Sequence, residues 1–177
     1  MSTSVERYFK FIEKHRSDGG RYISTEILKE LGFFTAPAST KYHGAYKGGL
    51  FDHSLAMAKS LVEMTEKLGL EWESPDSPWI IGLFHDLCKC ELYVKDESDK
   101  WTYNPDIIIP GHGDKSIIML QKYIQLTDEE IACIRWHMGA YETDTKMWNY
   151  YGKAVEKYPN VLFTHTADMY ASKIAGV

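Results

Sequence analysis

His53, the adjacent pair His85-Asp86, His112, His137 and Asp168 are the residues of this chain best suited to do chemistry together. Imidazole nitrogens and carboxylate oxygens are the donor types of a divalent-cation centre. Each of these residues falls in or beside a segment that reads as helix. His53 shares a stripe with Met57, Leu61 and Met64, so it points inward. His85-Asp86 interrupts the apolar run Trp79 to Leu87, where an adjacent His and Asp are costly to bury unless paired or bound to metal. His137 lies on one face with Cys133 and Ile134, and Asp168 with Ala171 and Ser172, small residues that let a cation approach. A lone histidine on an apolar face is ordinarily a core residue bonded to a carbonyl, and a single buried Asp is ordinarily a cap or half of an ion pair. What points to a metal is that several helices deliver such groups inward at one end of an otherwise apolar bundle.

The elements that must position them are helical. Val5, Tyr8, Phe9 and Ile12 predict an amphipathic helix over 4–16, stopped by Asp18-Gly19-Gly20. A shorter helix over 24–31 ends at Gly32, and 33–49 reads as a long ordered loop. Leu50, Met57, Leu61, Met64 and Leu68 mark a helix over 50–68. Ser77-Pro78 opens another, to about 90, as N-cap and first-turn proline. Residues 91–106 mix aromatics with a charged tip and read as an exposed excursion or small hairpin. Pro110-Gly111-His112-Gly113 leads into a helix to about 124, and Thr127 with Glu130 forms a capping box for one over 128–138. Segments 143–157 and 160–175, separated at Pro159, complete an all-α, single-domain helical bundle spanning 1–177.

The bulk properties narrow the setting. At 177 residues, 44% hydrophobic and 25% charged, the chain can bury a core and is neither disordered nor fibrous. No apolar run approaches a membrane span, and the polar stretch Met1 to Arg7 lacks the apolar core of a signal peptide. Three cysteines, an odd number, argue against a disulfide framework and for a cytoplasmic location. A net charge of −5 and a pI of about 5.8 disfavour nucleic acid as the partner, because proteins that grip that backbone usually carry a basic face.

The order His53, His85-Asp86, Asp168 resembles the H…HD…D signature of the HD superfamily of metal-dependent phosphohydrolases, and His112 and His137 resemble the extra ligands of its bimetallic subgroup. The surrounding words agree. Tyr46-Lys47-Gly48-Gly49-Leu50-Phe51-Asp52-His53-Ser54 is similar to the glycine-rich approach to the first metal-binding helix. Gly82-Leu83-Phe84-His85-Asp86-Leu87-Cys88-Lys89 is similar to the apolar-HDxxK segment, and His165-Thr166-Ala167-Asp168 to the final aspartate turn. The resemblance spans about 42–175, with the predicted helices within 4–31 preceding it, and implies an HD-type bundle. It is nearest in flavour to the HD domain of bacterial 3′–5′ exoribonucleases, although the nucleic-acid-binding OB-fold of those enzymes has no counterpart here.

The resemblance implies one metal held by His53, His85, Asp86 and Asp168, and a second held by Asp86, His112 and His137 with Asp86 bridging. A carboxylate can span the roughly 3.5–4 Å between paired metals. This nitrogen–oxygen set favours Mn, Fe, Co, Ni or Zn over Mg, so one or two divalent transition-metal ions are expected. The implied reaction is hydrolysis of a phosphate ester by a metal-activated hydroxide, with Asp86 and Lys89 as catalytic residues and a small phosphorylated molecule, a nucleotide first, as substrate. Lys89, Lys47, Arg135 and Lys115 are the candidate phosphate contacts, each weighed against a plain surface role. Two other activities fit the same words: a phosphodiesterase or nuclease acting on RNA, DNA or cyclic nucleotides, and a di-iron oxygenase of HD type. Among lesser features, His43 is expected near the mouth of the pocket and His165 behind Asp168. Cys88 and Cys90 are expected to point different ways, and Trp136, Tyr141, Trp148, Tyr150 and Tyr151 to pack rather than stack on a base.

Overall fold

The structure is a computed structural model that describes residues 2–139 and 145–177. Helix α1 (Ser4–His15) starts at Thr3, whose hydroxyl accepts from Glu6 N–H while the Glu6 carboxylate accepts from Thr3 N–H, a reciprocal cap. It buries Tyr8, Phe11 and Ile12, while Phe9, expected inside, is exposed. Helix α2 (Thr25–Leu31) is capped by Ser24 and closed by Gly32 at φ 82°, a left-handed conformation that glycine adopts without penalty. The loop from 32 to 48 is ordered by cross-loop backbone bonds from Ala38 N–H to Gly44 C=O and from Gly48 N–H to Thr35 C=O.

Helix α3 (Gly49–Leu68) and helix α4 (Ser77–Phe84) form the centre of the bundle. Every residue of α4 is buried, as its all-round apolar sequence requires. Asp76 occupies the N-cap position of α4, one residue before the expected Ser77, and its carboxylate accepts instead from Ser17 N–H, Ser17 O–H and Trp79 Nε1–H. The two helices touch backbone to backbone at Gly82, where a Cβ would stand 2.3 Å from Ala58 Cα. Gly82→Ala must push α3 and α4 apart. It is expected to cost about 3 kcal/mol or more, read as a lowered denaturation midpoint; an unchanged midpoint would show that the contact is slack.

The expected helix over 78–90 does not run through. After Phe84 the hydrogen bonds shorten to i→i−3: Leu87 N–H to Phe84, Lys89 to Asp86, Cys90 to Leu87 and Glu91 to Cys88. A short turn, α5 (Lys89–Leu92), then leads into the antiparallel pair β1 (Tyr93–Lys95) and β2 (Trp101–Tyr103), in which Tyr93 faces Tyr103. The hairpin reading of 91–106 therefore holds. Helix α6 (His112–Leu120) stops before the expected 124. Helix α7 (Asp128–Arg135) starts with the capping box foreseen at Thr127 and Glu130, but gives way to turn before His137. Helix α8 (Thr145–Lys157) is followed by α9 (Asn160–Met169), which widens into a π-helical turn, Tyr170–Ile174, where uninterrupted α-helix was expected. The start of the expected 143–157 helix and Tyr141 lie outside the described residues. Among the aromatics expected to pack, Trp136 is buried and meets Tyr151 edge to face at 5.9 Å, whereas Trp148 and Tyr150 are exposed.

A buried carboxylate joins the N-terminal segment to the bundle. Glu130 is fully buried and accepts four hydrogen bonds, from Arg21 (2.6 and 2.7 Å), Ser77 O–H (2.8 Å) and Thr127 N–H (2.8 Å). No helix among the described residues is long and apolar enough to cross a membrane.

Candidate metal centre

The ends of α3, α4, α7 and α9 converge, and His53, His85, Asp86, His137 and Asp168 meet there. His53 Nε2 lies 3.3 Å from His85 Nε2 and 3.1 Å from Asp168 Oδ1; His85 Nε2 lies 3.2 Å from Asp86 Oδ2. The remaining pairs of this set, His53 to Asp86 and His85 to Asp168, are each 3.8 Å apart. Donors bound to one transition-metal ion at about 2.1 Å stand about 3.0–3.4 Å from one another in octahedral or tetrahedral arrangement. The set is already close to that spacing.

The second oxygen of Asp86 faces the other way. Asp86 Oδ1 is 3.6 Å from His137 Nε2 and 3.8 Å from His112 Nδ1. Asp86 Oδ1 and His137 Nε2 are both buried and have no hydrogen-bond partner among the described residues. A carboxylate oxygen and an imidazole nitrogen left bare in the interior are costly. A cation held between them would supply the missing partner for both.

Three of the imidazoles are oriented by the backbone. His53 Nδ1 is 3.0 Å from Val177 C=O, His85 Nδ1 3.0 Å from Gly82 C=O, and His137 Nδ1 2.7 Å from Ile134 C=O. A carbonyl can only accept, so each Nδ1 carries a hydrogen, which leaves each Nε2 as the nitrogen that would offer a lone pair to a bound cation. Two such nitrogens at 3.3 Å, flanked by two carboxylates, form an arrangement that a cation would satisfy.

The electrostatics follow from burial and these neighbours. Burial works to raise the Asp86 carboxyl, but the Lys89 ammonium and His85 outweigh it and hold it well below its ordinary value. Burial works to raise the Asp168 carboxyl too, but its histidine neighbours His53, His85 and His137 outweigh it and hold it low. Burial would strip Lys89 of its proton, but Asp86 and Asp168 keep it an ammonium. Burial lowers His137 to about 4 in spite of Asp86, so its ring is neutral at physiological pH and ready to donate a lone pair. His112 is lowered as well, chiefly by burial.

Lys89 is 6% exposed, and its ammonium lies 2.5 Å from Asp86 Oδ2, so the solvated-surface alternative fails. On an α-helix it would share a face with His85. The tighter i→i−3 winding instead eclipses residues three apart and brings Lys89 over Asp86. The other candidate phosphate contacts are held elsewhere. Arg135 bonds to Asp114 at 2.7 Å, Lys115 to Glu91 at 2.5 Å, and Lys47 is exposed on the loop before α3. A cavity of about 450 Å³ opens onto Asp86, Lys89, His112 and Asp168, and none of those three basic residues lines it. Its walls are Ser39, Thr40, Tyr42 and His43 on one side and Tyr93, Tyr103, Met138 and Lys173 among the rest.

His43 reaches the mouth as expected, its ring 4.8 Å from that of His53, and burial together with His53 and Lys89 lowers it to about 4. His165 turns its Nδ1 to His137 C=O at 2.8 Å, so it braces the turn that carries His137, a role different from the one expected behind Asp168. Two features escaped the sequence reading. The tyrosine wall follows from the pairing of Tyr93 with Tyr103, for which the alternation on either side of the charged tip was the available signal. Cys88 also lies against the centre, its sulfur 3.8 Å from His112 Nδ1. A groove of equal volume between α1 and α3, lined in part by Lys10, Lys14 and Lys59, contains none of the metal-type donors of the centre.

No curated protein and no solved structure matches the chain. The profile of the HD domain family matches residues 50–172, well over half of it, and takes in every one of the converging histidines and aspartates. HD domains bind divalent metals and are generally metal-dependent hydrolases, and a buried His/Asp cluster able to hold such a metal is present at the matching positions. The chain belongs to the HD domain family, within the metal-dependent phosphohydrolase superfamily.

Proposed function

We propose that this protein hydrolyses the phosphate ester of a small phosphorylated molecule, a nucleotide, at a two-cation centre bridged by Asp86. The observation that carries the reading is the division of the Asp86 carboxylate. Oδ2 joins the His53, His85 and Asp168 donors, while Oδ1 lies bare towards His137 and His112. Residues His53, His85, Asp86 and Asp168 would hold one ion and Asp86, His112 and His137 the other. Bound there, divalent ions supply an acidified water as nucleophile and neutralise charge on the phosphoryl oxygens. The nitrogen-rich donors favour Mn, Fe, Co, Ni or Zn.

The chain's own groups do the rest. Lys89, held as an ammonium beside Asp86, faces the cavity and adds positive charge where a phosphate would sit. Asp86 and Asp168 remain ionised, so they orient donors and cations without competing for the proton of the attacking water. Ser39, Thr40 and the tyrosine wall offer hydroxyls and ring faces suited to a sugar and a base. A cavity of about 450 Å³ is of the size that takes one small ligand.

Elemental analysis of the purified protein, followed by a screen of nucleotides and phosphodiesters with added Mn, Co and Ni, tests this reading. Phosphate release from nucleoside monophosphates is expected. Turnover confined to diesters would move the assignment to a nuclease or phosphodiesterase, and oxygen uptake by iron-loaded protein without phosphate release would overturn it. Within the reading, Lys89→Gln should retain metal and lose about 10²-fold in kcat. Full kcat in that variant would remove Lys89 from the reaction.

A further inference from the structure

The turn that carries Lys89 over Asp86 also carries Cys88, which it sets against α6. Cys88 is 2% exposed, its backbone N–H is tied to Ser116 O–H at 3.1 Å, and its sulfur lies 3.8 Å from His112 Nδ1. Donor atoms of Asp86, Cys88 and His112 all lie within 4.8 Å of one another. That triangle is next to the bare Asp86 Oδ1. The nitrogen of His112 that approaches Asp86 is the same one that meets the sulfur, so one cation beside Oδ1 would face both.

We infer that Cys88 is a ligand of the second cation, which gives that position a sulfur donor and selects zinc, iron(II) or cobalt over manganese and magnesium. The inference rests on the two-cation reading above. A thiolate is a soft donor that binds zinc, cobalt and iron at about 2.3 Å, whereas manganese and magnesium prefer oxygen. Coordination replaces the S–H bond by a metal–sulfur bond, and the released proton leaves to solvent. The two positions then differ in kind: His53, His85 and Asp168 provide only nitrogen and oxygen to the first, while the second adds sulfur.

Cobalt(II) titration of the metal-free protein reads this directly, since a cobalt–thiolate bond gives an intense charge-transfer absorption in the near ultraviolet that imidazole and carboxylate do not. The band is expected to grow with the second equivalent of cobalt, to vanish in Cys88→Ser, and to persist in Cys90→Ala. Zinc affinity of the second site should fall by at least about tenfold in Cys88→Ser, with manganese affinity little changed. Circular dichroism confirms that the variant is folded, and Cys88→Ala repeats the measurement without a hydroxyl. Two equivalents of cobalt without the band would overturn the sulfur ligand and leave the bridged centre intact. A single equivalent would overturn both, so the two failures are distinguishable.

Discussion

Asp86→Ala is expected to abolish metal uptake at both positions and to lower phosphate-ester turnover by about 10³-fold or more, because one carboxylate serves both donor sets. The same change strands Lys89, whose ammonium is buried against Asp86 Oδ2. Removing one partner of a buried ion pair costs about 3–5 kcal/mol, so metal-free Asp86→Ala should also be markedly less stable while remaining helical. Asp86→Ala combined with Lys89→Met separates the effects. It should recover most of the stability, because no unpaired charge is left, and none of the activity. Metal content, turnover and a urea midpoint on the same preparations decide it. Normal turnover in Asp86→Ala would mean that the reaction takes place elsewhere on the protein.

The second large effect lies away from the centre. Glu130→Ala should cost about 3–5 kcal/mol, since Arg21, Ser77 O–H and Thr127 N–H would all lose their common acceptor. Glu130→Gln offers little relief, because its amide NH2 would face groups that can only donate or already do so. Arg21→Ala should be milder: Ser77 and Thr127 still hold the carboxylate, and Arg21 is the partly exposed member of the pair. Guanidine denaturation of the three variants gives the ranking, and an Arg21→Ala penalty equal to that of Glu130→Ala would show that the ion pair, not the hydrogen-bonded carboxylate, holds this junction.

Much of this molecule was legible because its signals are local. Thr127 and Glu130 announce a helix start within three residues, and the charged tip at 95–100 marks an exposed excursion or small hairpin, of which the hairpin forms. The donors were legible for a different reason: His85-Asp86 in the middle of Trp79 to Leu87 has no inexpensive way to be buried except beside a cation or a counter-charge. What escaped depends on tertiary packing. Whether Phe9 or Phe11 faces the core is decided by where α1 lies on α3, which spacing alone leaves open. The switch to i→i−3 winding after Phe84 re-aims the residues of that turn: it set Lys89 over Asp86 rather than beside His85, and Cys88, expected to be a bystander, became a neighbour of His112. Lys115 and Arg135 were drawn off by Glu91 and Asp114, partners that adjacency in sequence does not reveal.

The cavity is built from two materials. Its floor is Asp86, Lys89 and Asp168, which rest on the fully buried α4 and its backbone contact with α3 at Gly82. Part of its rim is a ribbon of only two short strands, which on its own is barely stable in water. The rim and the buried cluster below it are therefore structurally separable pieces. Exchanging Tyr93 or Tyr103 would reshape the rim while leaving the residues beneath it in place.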